Sequence, residues 1–273
     1  MWAYLCGVVS SGVPLAGAWP LAVLGLVLAG PLVCGMSQAA NDWCDRFVDA
    51  VNEPNRPIPS GLIPGRWGLF IALAMSALSL MVGALLGPWG FGATVLGVAA
   101  AWIYSAEPFR LKKSGWFGPL LVGLSYEGLP WITGVVVLTQ GAPSPPVIAV
   151  ATLYALGAFG IMTLNDFKAL EGDRLHGVRS LPVVLGPTRA AKLAAFVMGS
   201  AQIAVAALLL YWQLTWYSVA VSVLTIAQIF AMRVLLSDPK GRAPWYNGVG
   251  VSMYVTGMLI TSVGLRGFQG GIW

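Results

Sequence analysis

The chain has 273 residues, 58% of them hydrophobic and only 9% charged, with a formal net charge of +5. A soluble domain carries about 25% charged residues, so this composition, with a mean hydropathy of +0.79, excludes a soluble globular protein. It predicts an all-α, polytopic membrane protein with no room for a sizeable soluble domain, 1–273 forming a single transmembrane domain.

In chain order, the apolar runs predict a nine-helix transmembrane bundle, roughly 1–17, 20–41, 66–86, 89–105, 118–138, 146–165, 188–211, 214–236 and 246–266. Each is near the ~20 residues that a span needs, the first being marginal. Met1 already lies inside an apolar run, so the first helix looks clipped, and no cleavable signal peptide is visible. Lys and Arg fall in alternate connections: Arg46, Arg56 and Arg66, then Arg110, Lys112 and Lys113, then Lys168 to Lys192, then Arg233, Lys240 and Arg242. Only Arg266 stands outside this set. By the positive-inside rule these four loops are cytoplasmic and the N-terminus is cytoplasmic. The +5 charge is thereby explained by topology, with no nucleic acid as partner. Cys6, Cys34 and Cys44 read as packing residues without a disulfide framework.

Two acidic patterns end the second and sixth apolar runs. The first is Asn41-Asp42-Trp43-Cys44-Asp45-Arg46-Phe47-Val48-Asp49, running on to Asn55-Arg56-Pro57-Ile58-Pro59. The second is Asn165-Asp166-Phe167-Lys168-Ala169-Leu170-Glu171-Gly172-Asp173-Arg174, running on to Arg179-Ser180-Leu181-Pro182. Both read Asn-Asp, Asp-Arg, then Arg-x-[Ile/Leu]-Pro, a faint internal repeat four helices apart that places both on the same membrane face.

Seven of the chain's ten acidic residues lie in these two stretches. A carboxylate at the bilayer centre is unfavourable by about 2.5–3.5 kcal/mol, so such clustering needs a partner. On a helix, Asn41, Asp45 and Asp49 share a face with Asp42 beside them, all within about 100° of arc. Asp166 and Asp173, seven apart, nearly eclipse each other. Oxygen ligands of this kind suit Mg²⁺, which takes the rest of its shell from phosphates. Asn41, Asp42, Asp45, Asp49, Asp166 and Asp173 are the candidate ligands, with Asp45, Asp49, Asp166 and Asp173 the candidate catalytic set. Arg46, Lys168, Arg174 and Arg179 are interleaved and suit the remaining diphosphate oxygens. The plain alternative is a set of surface salt bridges between these same acids and bases. An acid at a metal edge is also expected to contribute little to packing.

The strings NDWCDRFVDAVNEPNRPIPSG and NDFKALEGDRLHGVRSLPV resemble the signature of the UbiA-type intramembrane prenyltransferases, chlorophyll synthase branch, and the likeness extends over nearly the whole chain. The resemblance implies a nine-helix bundle, Mg²⁺ dependence, and transfer of a geranylgeranyl or phytyl group from its diphosphate to the propionate carboxylate of bacteriochlorophyllide a. It further implies a bacterial inner or intracytoplasmic photosynthetic membrane, a cytoplasmic active-site mouth, contact with membrane lipid, and association with other pigment-biosynthesis proteins. Members of that branch begin with a polar segment and a Lys-Pro before the first helix; here the chain starts within it. Elsewhere in the superfamily the second aspartates often stand four apart, but Ala169 precedes Asp173 by four, which leaves Asp166 as its partner.

Weaker signals remain. Glu127, in Ser125-Tyr126-Glu127-Gly128, is an isolated intramembrane acid, and with Tyr126 it is a candidate pigment contact or a helix contact. His176, the sole histidine, reads as a loop residue or a metal ligand. Most of the 12 tryptophans read as an interfacial belt. The competing functions are a chlorophyllide-using synthase, a prenyltransferase with an aromatic, quinone-type acceptor, a transporter, and a non-catalytic pigment-binding assembly protein. A transporter would place its acids near the midplane, whereas these lie at one surface.

Overall fold

The computed structural model describes residues 1–175 and 177–267, so His176 lies outside the described residues. These residues fold into helices α1 (Trp2–Ser10), α2 (Leu15–Val27), α3 (Gly35–Asn52), α4 (Trp67–Leu85), α5 (Gly87–Ser105), α6 (Phe117–Gly123) and α7 (Leu129–Thr139). There follow α8 (Pro145–Asn165), α9 (Leu170–Leu175), α10 (Leu181–Leu185), α11 (Pro187–Tyr211), α12 (Thr215–Ser237) and α13 (Pro239–Gly264). π-Helical turns at Leu28–Cys34 and Leu124–Gly128 join α2 to α3 and α6 to α7, making each pair one long rod. The only bridge of strand type among the described residues pairs Ser114 with Arg179.

Seven of these rods are long and apolar enough to cross a membrane. The first and fourth predicted spans, α1 and α5, are not among them. α1 holds 9 residues, about 13.5 Å at 1.5 Å per residue, less than half the hydrocarbon thickness. Gly12, with φ of 70°, turns the chain after Ser11, and Pro14 opens α2. The second rod is longer than expected, because Asn41 to Asn52 continue the α-helix past the apolar run. α13 likewise starts seven residues before its predicted boundary, capped by the Asp238 side chain, which accepts from the Gly241 N–H at 3.1 Å.

Two groups of helices pack around a central pair. α3, α4 and α5 form one group, and α8, α11, α12 and α13 the other. α1 and the α6–α7 rod lie between them. Close approach of α1 and α7 requires glycine: a Cβ on Gly7 would run into the Trp131 carbonyl, and one on Gly134 into the Tyr4 carbonyl. Trp131 also donates its indole N–H to Ser10 Oγ at 2.9 Å. The second group holds the largest core, including Tyr154, Met198, Leu209 and Tyr254. Polar groups inside it find one another, as where Tyr154 and Thr261 hydroxyls meet at 3.0 Å. A cavity opens beside the first group, against α6, α7 and the end of α8.

Candidate active site

A cavity of about 980 Å³ opens between α3, α5, the α6–α7 rod and the end of α8. Its depth is apolar and small-residued: Leu28 and Val33 face Ala93, Gly97 and Ala101 of α5 and Leu129 of α7. Its other end is charged. Asn41 and Asp45 from α3 line it together with Asp166 and Asp173 from the second acidic stretch and with Arg110, Lys112 and Lys113. The two stretches therefore do converge, although 120 residues of chain separate them.

The six predicted metal ligands divide. Asn41 and Asp45 line the cavity, whereas Asp42 and Asp49 do not. Both give an oxygen to Arg56 Nη1, at 3.1 and 3.0 Å, while Glu53 takes Arg56 Nε at 2.6 Å. The reason is angular. On the observed α3 helix Asn41 and Asp45 occupy one edge of the acidic arc and Asp49 and Asp42 the other. The loop after α3 folds back and lays Arg56 on that second edge.

Asp45 has different partners. Arg110 Nη2 reaches its Oδ1 at 2.8 Å and Lys112 Nζ bonds its Oδ2. Burial pushes the Lys112 ammonium below its ordinary range, and the bond to Asp45 pulls it back up. Lys113 and Arg110 hold the Glu107 carboxyl below the usual carboxylate range. Arg110 sits at φ 38°, ψ 55°, a left-handed conformation unusual for a side chain of its size. Its Nε is buried and bonds to no protein group, a donor suited to an anion. The loop carrying these cations is tied to the second acidic stretch. Gly115 N–H donates to the Arg179 carbonyl at 2.9 Å, and Arg179 N–H to the Lys113 carbonyl at 3.2 Å.

The interleaved cations expected to hold a diphosphate stand elsewhere. The Arg46 guanidinium lies over the Trp43 and Phe47 rings, 3.9 and 4.3 Å from their centroids, and donates to the Trp43 carbonyl. Lys168, Arg174 and Arg179 are exposed and do not line the cavity. The chain tightens into a 3₁₀ turn at Asp166–Ala169, and Lys168 on it is exposed. Tyr126 does line the cavity, its hydroxyl 3.6 Å from Cys34 Sγ. Glu127 does not, and its Oε2 is buried without a hydrogen-bond partner.

Sequence reasoning used the run Arg110-Leu111-Lys112-Lys113 for topology alone and so missed its place beside Asp45. Asn165, too, has no role that its place in the motif predicts. The signal available was the density of cations in one short loop.

The oxygen donors facing the cavity, from Asn41, Asp45, Asp166 and Asp173, have the hard chemistry that suits Mg²⁺. Among the described residues, no three Asp, Glu, His or Cys side chains stand close enough to enclose an ion by themselves.

Fold and cavity together define a helical, multi-pass membrane protein whose pocket is apolar in its depth and charged at one end. The chain belongs to the UbiA prenyltransferase family, whose family model matches residues 1–256. The bacteriochlorophyll synthase 33 kDa chain of Cereibacter sphaeroides is 66% identical over 269 residues, 98% of this chain and 89% of that protein. The protein of the same name from Rhodobacter capsulatus is 64% identical over 271 residues, again 98% and 89%. A solved structure of a UbiA homolog from Archaeoglobus fulgidus bound to DMAPP and Mg²⁺ aligns with a TM-score of 0.71 and 22% identity, covering 96% of each chain. At that identity it speaks for the fold.

Proposed function

We propose that this chain esterifies the propionate carboxylate of bacteriochlorophyllide a with a geranylgeranyl or phytyl group from its diphosphate, releasing diphosphate. The observation that carries this reading is the convergence of both acidic stretches and the cationic loop on one end of a long apolar cavity. The acceptor is supported by the bacteriochlorophyll synthases at 66% and 64% identity over nearly the whole chain.

Asn41 and Asp45 from α3, and Asp166 and Asp173 from the second acidic stretch, would hold Mg²⁺ only together with diphosphate oxygens, because the carboxylates by themselves do not close around one ion. When bound, the ion supplies charge neutralisation of the leaving diphosphate. Arg110, Lys112 and Lys113 grip the diphosphate oxygens that remain, as charge-assisted donors at the cavity mouth. The allylic C–O bond breaks, the electron pair leaves with the diphosphate, and a carboxylate oxygen of the pigment attacks the allylic carbon. That carboxylate is already ionised at neutral pH, so the chain need supply no general base. The apolar walls around Val33, Gly97 and Leu129 hold the prenyl chain and keep water from intercepting the cation. Asp42 and Asp49 act through Arg56, which fixes the end of α3. Tyr126, which lines the cavity, is the candidate pigment contact.

The same reading puts the chain in a bacterial inner membrane, with α1 and α5 completing nine transmembrane crossings or part-crossings and the charged mouth on the cytoplasmic side, a placement that the positive charge of the loops supports. The test is to incubate purified protein with bacteriochlorophyllide a, geranylgeranyl or phytyl diphosphate and Mg²⁺, and to look for esterified pigment. Parallel reactions with chlorophyllide and with an aromatic quinone precursor report acceptor choice. No ester with any acceptor overturns the reading, and preference for the aromatic acceptor moves it to the quinone branch.

A further inference from the structure

Each acidic stretch begins with Asn-Asp, and both asparagines, Asn41 and Asn165, line the cavity. Their amides are held differently. Asn165 Oδ1 accepts from Asn247 Nδ2 of α13 at 2.8 Å. α13 contributes no residue to the cavity wall, so this oxygen is turned away from the cavity and toward the neighbouring helix. The opposite end of the amide, Nδ2, points toward Met162 Sδ at 3.9 Å, and Met162 is itself a wall residue. Sulfur is a weak acceptor and leaves the two N–H groups largely unused. α13 holds this segment at a second point, where Lys240 bonds Glu171 at 2.8 Å. For Asn41 the nitrogen is the committed end, directed at Ser105 Oγ at 3.5 Å.

We infer that Asn165 is an anion-binding residue whose side-chain N–H groups donate to a diphosphate oxygen of the prenyl substrate, and that Asn247 is the positioning residue that sets the amide this way round. The inference rests on the proposed use of a prenyl diphosphate. The paired Asn-Asp motifs then have opposite polarity. Asn41 offers an oxygen, as a cation ligand does, and Asn165 offers hydrogens, as an anion site does. A half-buried N–H donor aimed at a phosphate oxygen adds affinity without adding charge, which suits a wall already crowded with Asp166 and Asp173.

The experiment measures binding of geranylgeranyl thiolodiphosphate, which is not turned over, to the full chain in detergent, across a Mg²⁺ titration. Thermal unfolding monitors the fold of each variant. Asn165→Asp keeps an acceptor for Asn247 but replaces the donors with a carboxylate. It should weaken analogue binding about tenfold or more without lowering the Mg²⁺ concentration at half-saturation. Asn247→Asp can only accept, so it should turn the Asn165 amide over and weaken analogue binding too, although residue 247 touches no ligand. Asn165→Asp binding within twofold of wild type would reduce the asparagine to a helix brace and overturn the inference. So would a lowered Mg²⁺ half-saturation, which marks a metal ligand, or an unaffected Asn247→Asp variant. Failure of the wild-type chain to bind the analogue at all would instead overturn the proposed function, and the inference with it.

Discussion

Replacing Asp45 by alanine removes the one carboxylate that Arg110 and Lys112 share. The three side chains are 17%, 18% and 15% exposed, so Lys112 loses its carboxylate in a largely water-excluded place, while Arg110 keeps only the exposed Glu107 at 3.4 Å. Breaking a fully buried pair from one side is unfavourable by about 3–5 kcal/mol, and an exposed pair contributes about 0–1 kcal/mol. Asp45 lies nearer the buried limit, which gives an expected loss of about 2–3 kcal/mol. Asp42→Ala is the control. Its side chain and that of Arg56 are 33% and 35% exposed, and Arg56 keeps Asp49 and Glu53, so the loss should stay under about 1 kcal/mol. This departs from the expectation that a metal-edge acid matters little to folding. Thermal and denaturant unfolding of the two variants in one detergent measures the difference. Adding Lys112→Met to Asp45→Ala should recover part of the loss, with a coupling of about 0.5–3 kcal/mol. Turnover of Asp45→Ala should fall on the order of 10²-fold or more, since the stabilisation of the leaving group goes with it. If Asp45→Ala unfolds no earlier than Asp42→Ala, the ion-pair argument is wrong; if it also keeps wild-type turnover, Asp45 is not at the reacting end.

Three further outcomes are expected. Lys112→Met should raise the apparent dissociation constant for prenyl diphosphate about tenfold, the worth of one charge-assisted hydrogen bond, while Lys168→Met stays within about twofold; the reverse order would move the diphosphate to the outer face. Reporter fusions after residue 112 should read cytoplasmic and after residue 143 periplasmic, and the opposite pattern would invert the placement of the cavity mouth. Gly7→Ala should destabilise the fold by about 1–3 kcal/mol, because the new methyl meets the Trp131 backbone, which cannot rotate aside; unchanged unfolding would mean that α1 is not packed against α7 as described.

The membrane class, the order of the rods and the position of both acidic stretches at one end were legible in the sequence. Hydropathy over some 20 residues is a local property, and a helix in lipid satisfies its own backbone, so each rod can be read without its neighbours. The helical phase of Asn41 and Asp45 was legible for the same reason. Local readings failed where the chain departs from uniform apolar helix. Gly12 and Pro14 cut α1 short inside an apolar run, and polar residues carried α3 beyond the end of another. Side-chain partners were decided by tertiary structure. Three acids within one arc look equivalent on a helical wheel, yet a returning loop gives Asp42 and Asp49 to Arg56, while a loop 65 residues away gives Asp45 to Arg110. Asn165 takes its orientation from Asn247, 82 residues further along. Ion pairs and amide orientations depend on which groups the folded loops bring within about 3 Å, and that distance is set by the packing of the whole bundle and not by spacing along the chain.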